Sequence, residues 1–185
     1  MTDDGAPERK YHRPEAGLAV TDGHVVERYA SLFGRKDQGG DVVMKGAYAA
    51  SLKRLAVAGG RIKMLWQHDP RQPIGVWDEV REDATGLWVK GRILTELERG
   101  REAAALLAAG AIDGLSIGYR TVKAERDGKG RRLLSELELW EVSLVTFPML
   151  TEARVQTKAD TGMDETWRCL ALIFEEARKS LAEGR

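Results

Sequence analysis

The 185-residue sequence has one cysteine, Cys169, which excludes an internal disulfide framework and fits a reducing compartment. A lone thiol cannot build a thiolate cluster. None of the three histidines (His12, His24 and His68) stands at metal-ligand spacing from another, so no metal or other cofactor is expected. A glycine-rich phosphate loop with its lysine is also absent. Neither sign of charge is in excess: 29 basic and 29 acidic side chains give a formal net charge of +0. That balance argues against direct nucleic-acid binding or an acidic membrane surface as the main partner. The longest apolar run, 103–112, is too short to span a bilayer and is broken by Gly110, so no membrane association is expected. Residues 1–17 are polar and lack the apolar centre of a signal peptide, so the chain reads as cytoplasmic. There is no internal repeat or low-complexity tract.

The sequence has the makings of one soluble globular domain with a tail. Residues 1–14 are charged and carry two prolines, and they read as a flexible lead-in. A domain is expected over 15–150. Within it, residues 17–23 read as a strand and turn, 25–33 as a strand, and 34–41 as a polar loop. Residues 47–58 read as a helix with Tyr48, Leu52 and Leu55 on one face, stopped by Gly59-Gly60. A short strand, 61–67, should end at His68-Asp69-Pro70, where the proline forces a turn. Residues 74–80 and 87–94 pair as a hairpin in which Trp77 and Trp88 cover the core. Thr95 and Glu98 form a capping box for a helix reaching about residue 109. Two strands, 114–124 and 133–147, flank the turn 126–130. A polar linker, 151–163, then leads to an amphipathic helix over 164–185, capped by Asp164. Its stripe of Trp167, Leu170, Phe174, Ala177 and Leu181 fits either docking on its own domain or binding a partner. The expected fold is α+β, a mainly antiparallel β-barrel, closed or nearly so, flanked by helices.

The chemistry-bearing stretch is Gly114-Leu115-Ser116-Ile117-Gly118-Tyr119-Arg120. Its period of two is that of a half-buried strand, with Ser116 turned away from Leu115, Ile117 and Tyr119. The flanking glycines permit a close approach by substrate or backbone, or mark a bulge in an ordinary strand. A serine becomes a nucleophile when a base takes its proton and a third group fixes that base. His68, at the end of a strand beside a turn, is either that base or a surface turn residue. Asp69, Asp113, Glu138 and Glu141 are the acids to weigh as the third group. Asp69 is adjacent to His68 and points the other way in an extended chain. Glu141 lies inside the apolar run 139–145, where a carboxylate is costly unless paired. Its partner is His68, or an arginine such as Arg120. Glu138 shares a face with Trp140 and Val142, and so points away from Glu141.

Gly114-x-Ser116-x-Gly118 matches the nucleophile elbow of α/β-hydrolases, but that motif needs a strand–turn–helix and a histidine after the serine. No histidine follows Ser116. The order His68, Ser116, Glu141 instead resembles the prohead (procapsid maturation) proteases of HK97-type tailed phages. The resemblance rests on Tyr29-Ala30-Ser31-Leu32-Phe33, Gly40-Asp41-Val42-Val43, Gly46-Ala47-Tyr48 with Ser51-Leu52, and Leu65-Trp66-Gln67-His68-Asp69. It continues through Pro73-Ile74-Gly75, Gly114 to Tyr119, and Glu141-Val142-Ser143-Leu144-Val145 with Pro148, covering about 25–148. Lys45 departs from the family's usual proline in a loop.

The resemblance implies a serine endopeptidase with a fold like that of the herpesvirus assembly proteases, which use a serine and two histidines. Glu141 would stand in the place of the second histidine. It further implies His68, Ser116 and Glu141 as catalytic residues, with Ser116 as nucleophile, His68 as base and Glu141 as orienting acid. An oxyanion hole is also required. The implied substrate is capsid scaffold or the scaffold segment of the major capsid protein, cleaved inside an assembling procapsid in the bacterial host cytoplasm, with self-cleavage an added expectation. The particle could be a phage, a prophage or a gene-transfer agent, and homo-oligomerisation is left open. The competing reading is a non-catalytic scaffold or capsid-binding assembly module that keeps the fold without activity.

Overall fold

The computed structural model describes residues 8–12, 19–21, 24–37 and 39–146. Nine strands and two helices form along them: β1 Glu8–His12, β2 Ala19–Thr21, β3 Val25–Leu32, β4 Asp41–Val43, α1 Ala49–Val57, β5 Lys63–Trp66, β6 Asp69–Glu82, β7 Gly86–Ile93, α2 Glu98–Ala108, β8 Gly114–Arg126 and β9 Arg132–Val145. The linker 151–163, the helix expected over 164–185 and Cys169 lie outside the described residues.

The strands make one curled sheet in the order β1-β8-β9-β5-β6-β7-β3-β2, with β4 added to β9. The α+β class and the predominance of antiparallel pairs are as the sequence suggests, but the closed antiparallel barrel is not. The sheet is a half-barrel that ends at β1 and β2, and both β4 and β5 run parallel to β9. Parallel pairs need a crossover, and α1 with its flanking turns supplies the one between β4 and β5.

That crossover explains how β9 is satisfied along its whole length. β8 pairs with one edge of β9 throughout. On the other edge β4 covers 132–134 and β5 covers 141–144, leaving a gap between them. The chain entering α1 fills it. Met44 N–H donates to Leu134 O (2.9 Å), Ala47 O accepts from Leu137 N–H (2.9 Å), and the buried Ser51 Oγ accepts from Leu139 N–H (2.9 Å). A serine inside a helix thus substitutes for a missing strand, meeting the requirement that buried backbone groups be paired.

Glu82, at the end of β6, accepts from Gly46 N–H (2.6 Å) and Tyr48 N–H (3.0 Å), holding the turn that leads into α1. Gly59 (φ 64) and Gly110 (φ 70) close the two helices in left-handed conformation, as the sequence suggests. In each case the next residue donates back over the last turn, Gly60 to Leu55 O and Ala111 to Leu106 O, both at 2.9 Å. The Thr95–Glu98 capping box does not form. A turn closed by Leu97 N–H on Leu94 O (3.1 Å) takes up those residues, so Leu97 becomes the N-cap and supplies no side-chain cap.

One core cluster runs from Val26 and Ala30 of β3 through Leu87 and Val89 of β7 to Leu115, Ile117 and Tyr119 of β8. Trp77 is buried there and donates its indole N–H to Val142 O (3.1 Å). Trp88 is not a core residue. It is half-buried and stands edge-on to Tyr29 (4.8 Å) beneath the Arg81 guanidinium. Two strands fall where the sequence reading placed none: β4, whose three residues adjoin the polar loop, and β1, inside the segment read as a flexible lead-in.

Candidate active site

Three strands meet at the candidate residues. β8 carries Ser116, opposite Ser143 of β9, and Gly118 is opposite Glu141. β5 lies on the other edge of β9, with Lys63 opposite Glu141 and Leu65 opposite Ser143. His68 lies two residues beyond β5, in the loop to β6. The twelve paired positions of β8 and β9 align Ser116 with the Glu141 strand, and the parallel β5–β9 register adds His68, so the three strands bring together residues 48 and 73 positions apart in sequence.

A bulge sets the face from which Glu141 emerges. Gly118 pairs with Glu141 but Tyr119 pairs with Leu139, so Trp140 is the extra residue on β9. The buried positions accordingly step Leu137, Leu139, Val142, Leu144. In a regular strand Val142 would share a face with Glu138. The bulge breaks that parity and turns both Glu138 and Glu141 away from the core. Glu138 is the acid that takes Arg120, at 2.6 Å, so the arginine-paired alternative for Glu141 is not realised. Gly118 makes room for the Glu141 side chain: a Cβ there would lie 2.7 Å from Glu141 Cδ and 2.8 Å from its Cγ.

The β5–β6 connection presents His68. Trp66 pairs with Asp69, leaving Gln67 and His68 as a two-residue hairpin loop with φ of 52° and 63°. Positive φ at both positions is the pattern of a type I′ turn, normally filled by Asn-Gly or Asp-Gly. It costs about 1–2 kcal/mol per residue with a Cβ. The end of β9 holds the turn in place. Gln67 N–H donates to Leu144 O (3.0 Å), and Gln67 Nε2 donates to Thr146 Oγ1 (2.6 Å). Thr146 N–H donates to Gln67 Oε1 (3.3 Å), and His68 N–H donates to Ser143 Oγ (3.2 Å). The left-handed backbone makes the turn, and Pro70 instead sits inside β6.

His68 Nε2 lies 2.6 Å from Ser116 Oγ, and His68 Nδ1 is hydrogen-bonded to Glu141 Oε1. His68 and Ser116 are both buried, at 6% and 0% exposure, so the strand over 114–119 is covered on both faces, not one. The second carboxylate oxygen, Oε2, accepts from Ser143 Oγ at 2.6 Å. An ionised carboxylate only accepts, so the imidazole donates Nδ1–H to Glu141 and turns its Nε2 lone pair to the Ser116 hydroxyl. That tautomer can remove a proton from the serine.

A family model of the Caudovirus prohead serine proteases matches residues 10–167. The chain belongs to that family. The prohead protease of Enterobacteria phage HK97 is 29% identical to it over 147 residues, 78% of this chain and 64% of that protein. The chain thus spans just under two thirds of the length of that relative. Among solved structures, the bacteriophage T4 capsid assembly protease superposes with a TM-score of 0.57 at 16% identity, covering 78% of this chain and all of that one. At that identity the likeness establishes a shared fold.

The remaining candidates of this prohead protease family member are spread elsewhere. His12 is in β1, opposite Leu115, and His24 precedes β3, its carbonyl accepting Ile93 N–H at 2.8 Å. Asp113 precedes β8. Asp69 turns from the imidazole to Arg71 and Gln72. The Arg71 guanidinium, the Arg71 N–H and the Gln72 amide hold its carboxyl well below the usual range. Sequence reasoning missed Gln67, Ser143 and Thr146. Ser143 had a readable signal, since it stands two residues after Glu141, on the same face of an otherwise apolar strand.

Proposed function

We propose that this prohead protease family member is a serine endopeptidase in which Ser116, His68 and Glu141 act as nucleophile, general base and orienting acid. The observation that carries the reading is the unbroken chain Ser116 Oγ–His68 Nε2 and His68 Nδ1–Glu141 Oε1. Ser116 Oγ attacks the scissile carbonyl as its proton passes to His68 Nε2. Glu141 stabilises the imidazolium that results, and His68 then delivers the proton to the leaving amine. Water repeats the sequence on the acyl-enzyme and restores Ser116. A non-catalytic assembly module has no need for an acid, an imidazole and a hydroxyl in this order.

The substrate we infer is capsid scaffold, or the scaffold segment of the major capsid protein, cut inside the assembling procapsid in the host cytoplasm. The curated relative named a prohead protease and the fold shared with a capsid assembly protease support that inference. The relation to herpesvirus assembly proteases belongs to the same proposal. Mass spectrometry of the capsid protein's N-terminus, from particles made with and without this chain, tests it. A shortened N-terminus only in its presence, lost with Ser116→Ala, is expected. The same N-terminus in both preparations would refute the proposal.

A further inference from the structure

We infer that Ser143 is a positioning residue for the proposed catalytic machinery, a hydroxyl bridge that sets the Glu141 carboxylate and the His68 turn in one register. The inference rests on the triad reading above and extends it to a fourth side chain.

Ser143 is fully buried. Its Oγ donates to Glu141 Oε2 at 2.6 Å and accepts from the main-chain N–H of His68 at 3.2 Å. A hydroxyl has one proton and two lone pairs, so both contacts are made at once and in one direction: His68 N–H to Ser143 Oγ, then Ser143 O–H to Glu141 Oε2. The bridge closes a ring that runs from the His68 backbone through Ser143 and Glu141 to Nδ1 of the same histidine. Such a ring fixes the imidazole at two points, its main chain and its ring nitrogen.

Two features of the site make this bridge necessary. His68 has a left-handed backbone, φ 63°, which a residue with a Cβ holds only when its surroundings impose it. Ser143 Oγ is the group that accepts its N–H. The Glu141 side chain, in turn, lies over Gly118, which has no Cβ to confine it on that side. With Oε1 on the imidazole, the bond from Ser143 to Oε2 is what stops the carboxylate from rotating. Alanine here would leave a part-buried carboxylate oxygen and a buried amide each short of a partner. The carboxylate and turn would then be free to move by a fraction of an ångström, a scale at which proton-transfer geometry is sensitive.

The test is the second-order rate of labelling of Ser116 by a fluorophosphonate probe, in which Oγ bonds to phosphorus, fluoride leaves and His68 takes the hydroxyl proton. It is measured on the full chain, per folded molecule, for Ser143→Ala, Ser143→Cys and Ser143→Thr, and for Ser143→Ala combined with Glu141→Gln. Ser143→Ala should label about 10- to 100-fold more slowly. Ser143→Cys, close in size but a weak donor, should fall likewise, which keeps the test valid if the alanine variant does not fold. Ser143→Thr, which keeps the hydroxyl, should recover most of the rate. In the Glu141→Gln background the same alanine change should cost at least tenfold less, because the residue it acts through has been altered. Full-rate labelling of Ser143→Cys, or an equal loss in both backgrounds, overturns the inference. Failure of the underlying triad reading shows separately, as unchanged labelling in His68→Ala.

Discussion

Ser116, His68 and Glu141 differ in what their removal should do to stability, and that difference separates chemistry from packing. Ser116→Ala deletes one oxygen from a fully buried site and leaves the β8–β9 ladder intact. Proteolysis should fall by on the order of 10⁶-fold with little change in Tm, and His68→Ala should cost about as much, since members of one catalytic unit fail together. Glu141→Gln keeps size and removes the charge that stabilises imidazolium, so turnover should fall about 10⁴-fold. Turnover and thermal melts on the same preparations check all three, and a large Tm loss with turnover retained would mean that Glu141 is structural. Gly118→Ala should mimic Glu141→Gln, because its new Cβ would occupy the place of the carboxylate; the measurement is again turnover per folded molecule. Much of this site is legible in the sequence, but not from any one residue: a serine between glycines, a histidine at a strand end and an acid in an apolar run each have an ordinary structural reading, and they point to a triad only together and through the family resemblance. The face of Glu141 was not legible. A single extra residue, Trp140, shifts the parity of the strand, and nothing in the local sequence announces the bulge.

At the level of the element, the Gln67–His68 turn has the conformation of an Asn-Gly turn without its residues. The clamp between Gln67 and Thr146 offsets that strain. Gln67→Gly should relieve the backbone and lose the clamp together, so Tm should move little, while labelling of Ser116 should fall by about tenfold as His68 loses its support. A rate equal to that of the unmodified chain would mean the turn holds itself. The β6–β7 turn offers a pH test. Burial pushes the Asp83 carboxyl up, but Thr85 N–H, the Tyr29 hydroxyl, Gly86 N–H and Arg81 together hold it down at about 2. A lowered carboxyl contributes stability that is complete above its unfolded value, about 4, and is lost as pH falls through about 2. Asp83→Asn should therefore cost about 1 kcal/mol at neutral pH, solvent screening included, and the gap in Tm should close toward pH 2. A gap independent of pH would assign the loss to packing. The hairpin itself was readable from its alternation, and both helix ends from their glycines. The start of α2 was misread because the Thr95-x-x-Glu98 pattern is local, whereas the turn at Leu94 that displaced it is held by a strand, with Leu94 N–H on Ile74 O at 2.9 Å.

Across the whole molecule, the proposed catalysis depends on one long strand, β9, from which β4, β5 and β8 take their register. β9 sets β8 on one side and β4, α1 and β5 on the other, so Ser116, His68 and Glu141 are aligned by the ladder and not by local sequence. The parallel pairs were the part of the fold hardest to foresee. Periodicity identifies strands, but the direction in which β5 meets β9 follows from a crossover of which α1 is only a part. The outer edge of β8 is set by β1, whose residues 8–12 pair with 119–115 across Ser116. A polar, proline-flanked segment gives no strand signal of its own, because its ladder partner lies more than a hundred residues away. Without β1, the N–H and C=O groups of Leu115–Tyr119 on that edge would lose their partners, at a net cost of about 0.5–1.5 kcal/mol for each hydrogen bond. They would also offer an exposed strand edge to other chains. Deleting residues 1–12 should therefore lower Tm and promote self-association. Labelling of Ser116 should fall in step with the loss of folded protein, not through any change in the triad. Size-exclusion chromatography alongside a thermal melt decides the matter. A monomeric truncation with the original Tm would show that β1 contributes nothing to holding the Ser116 strand.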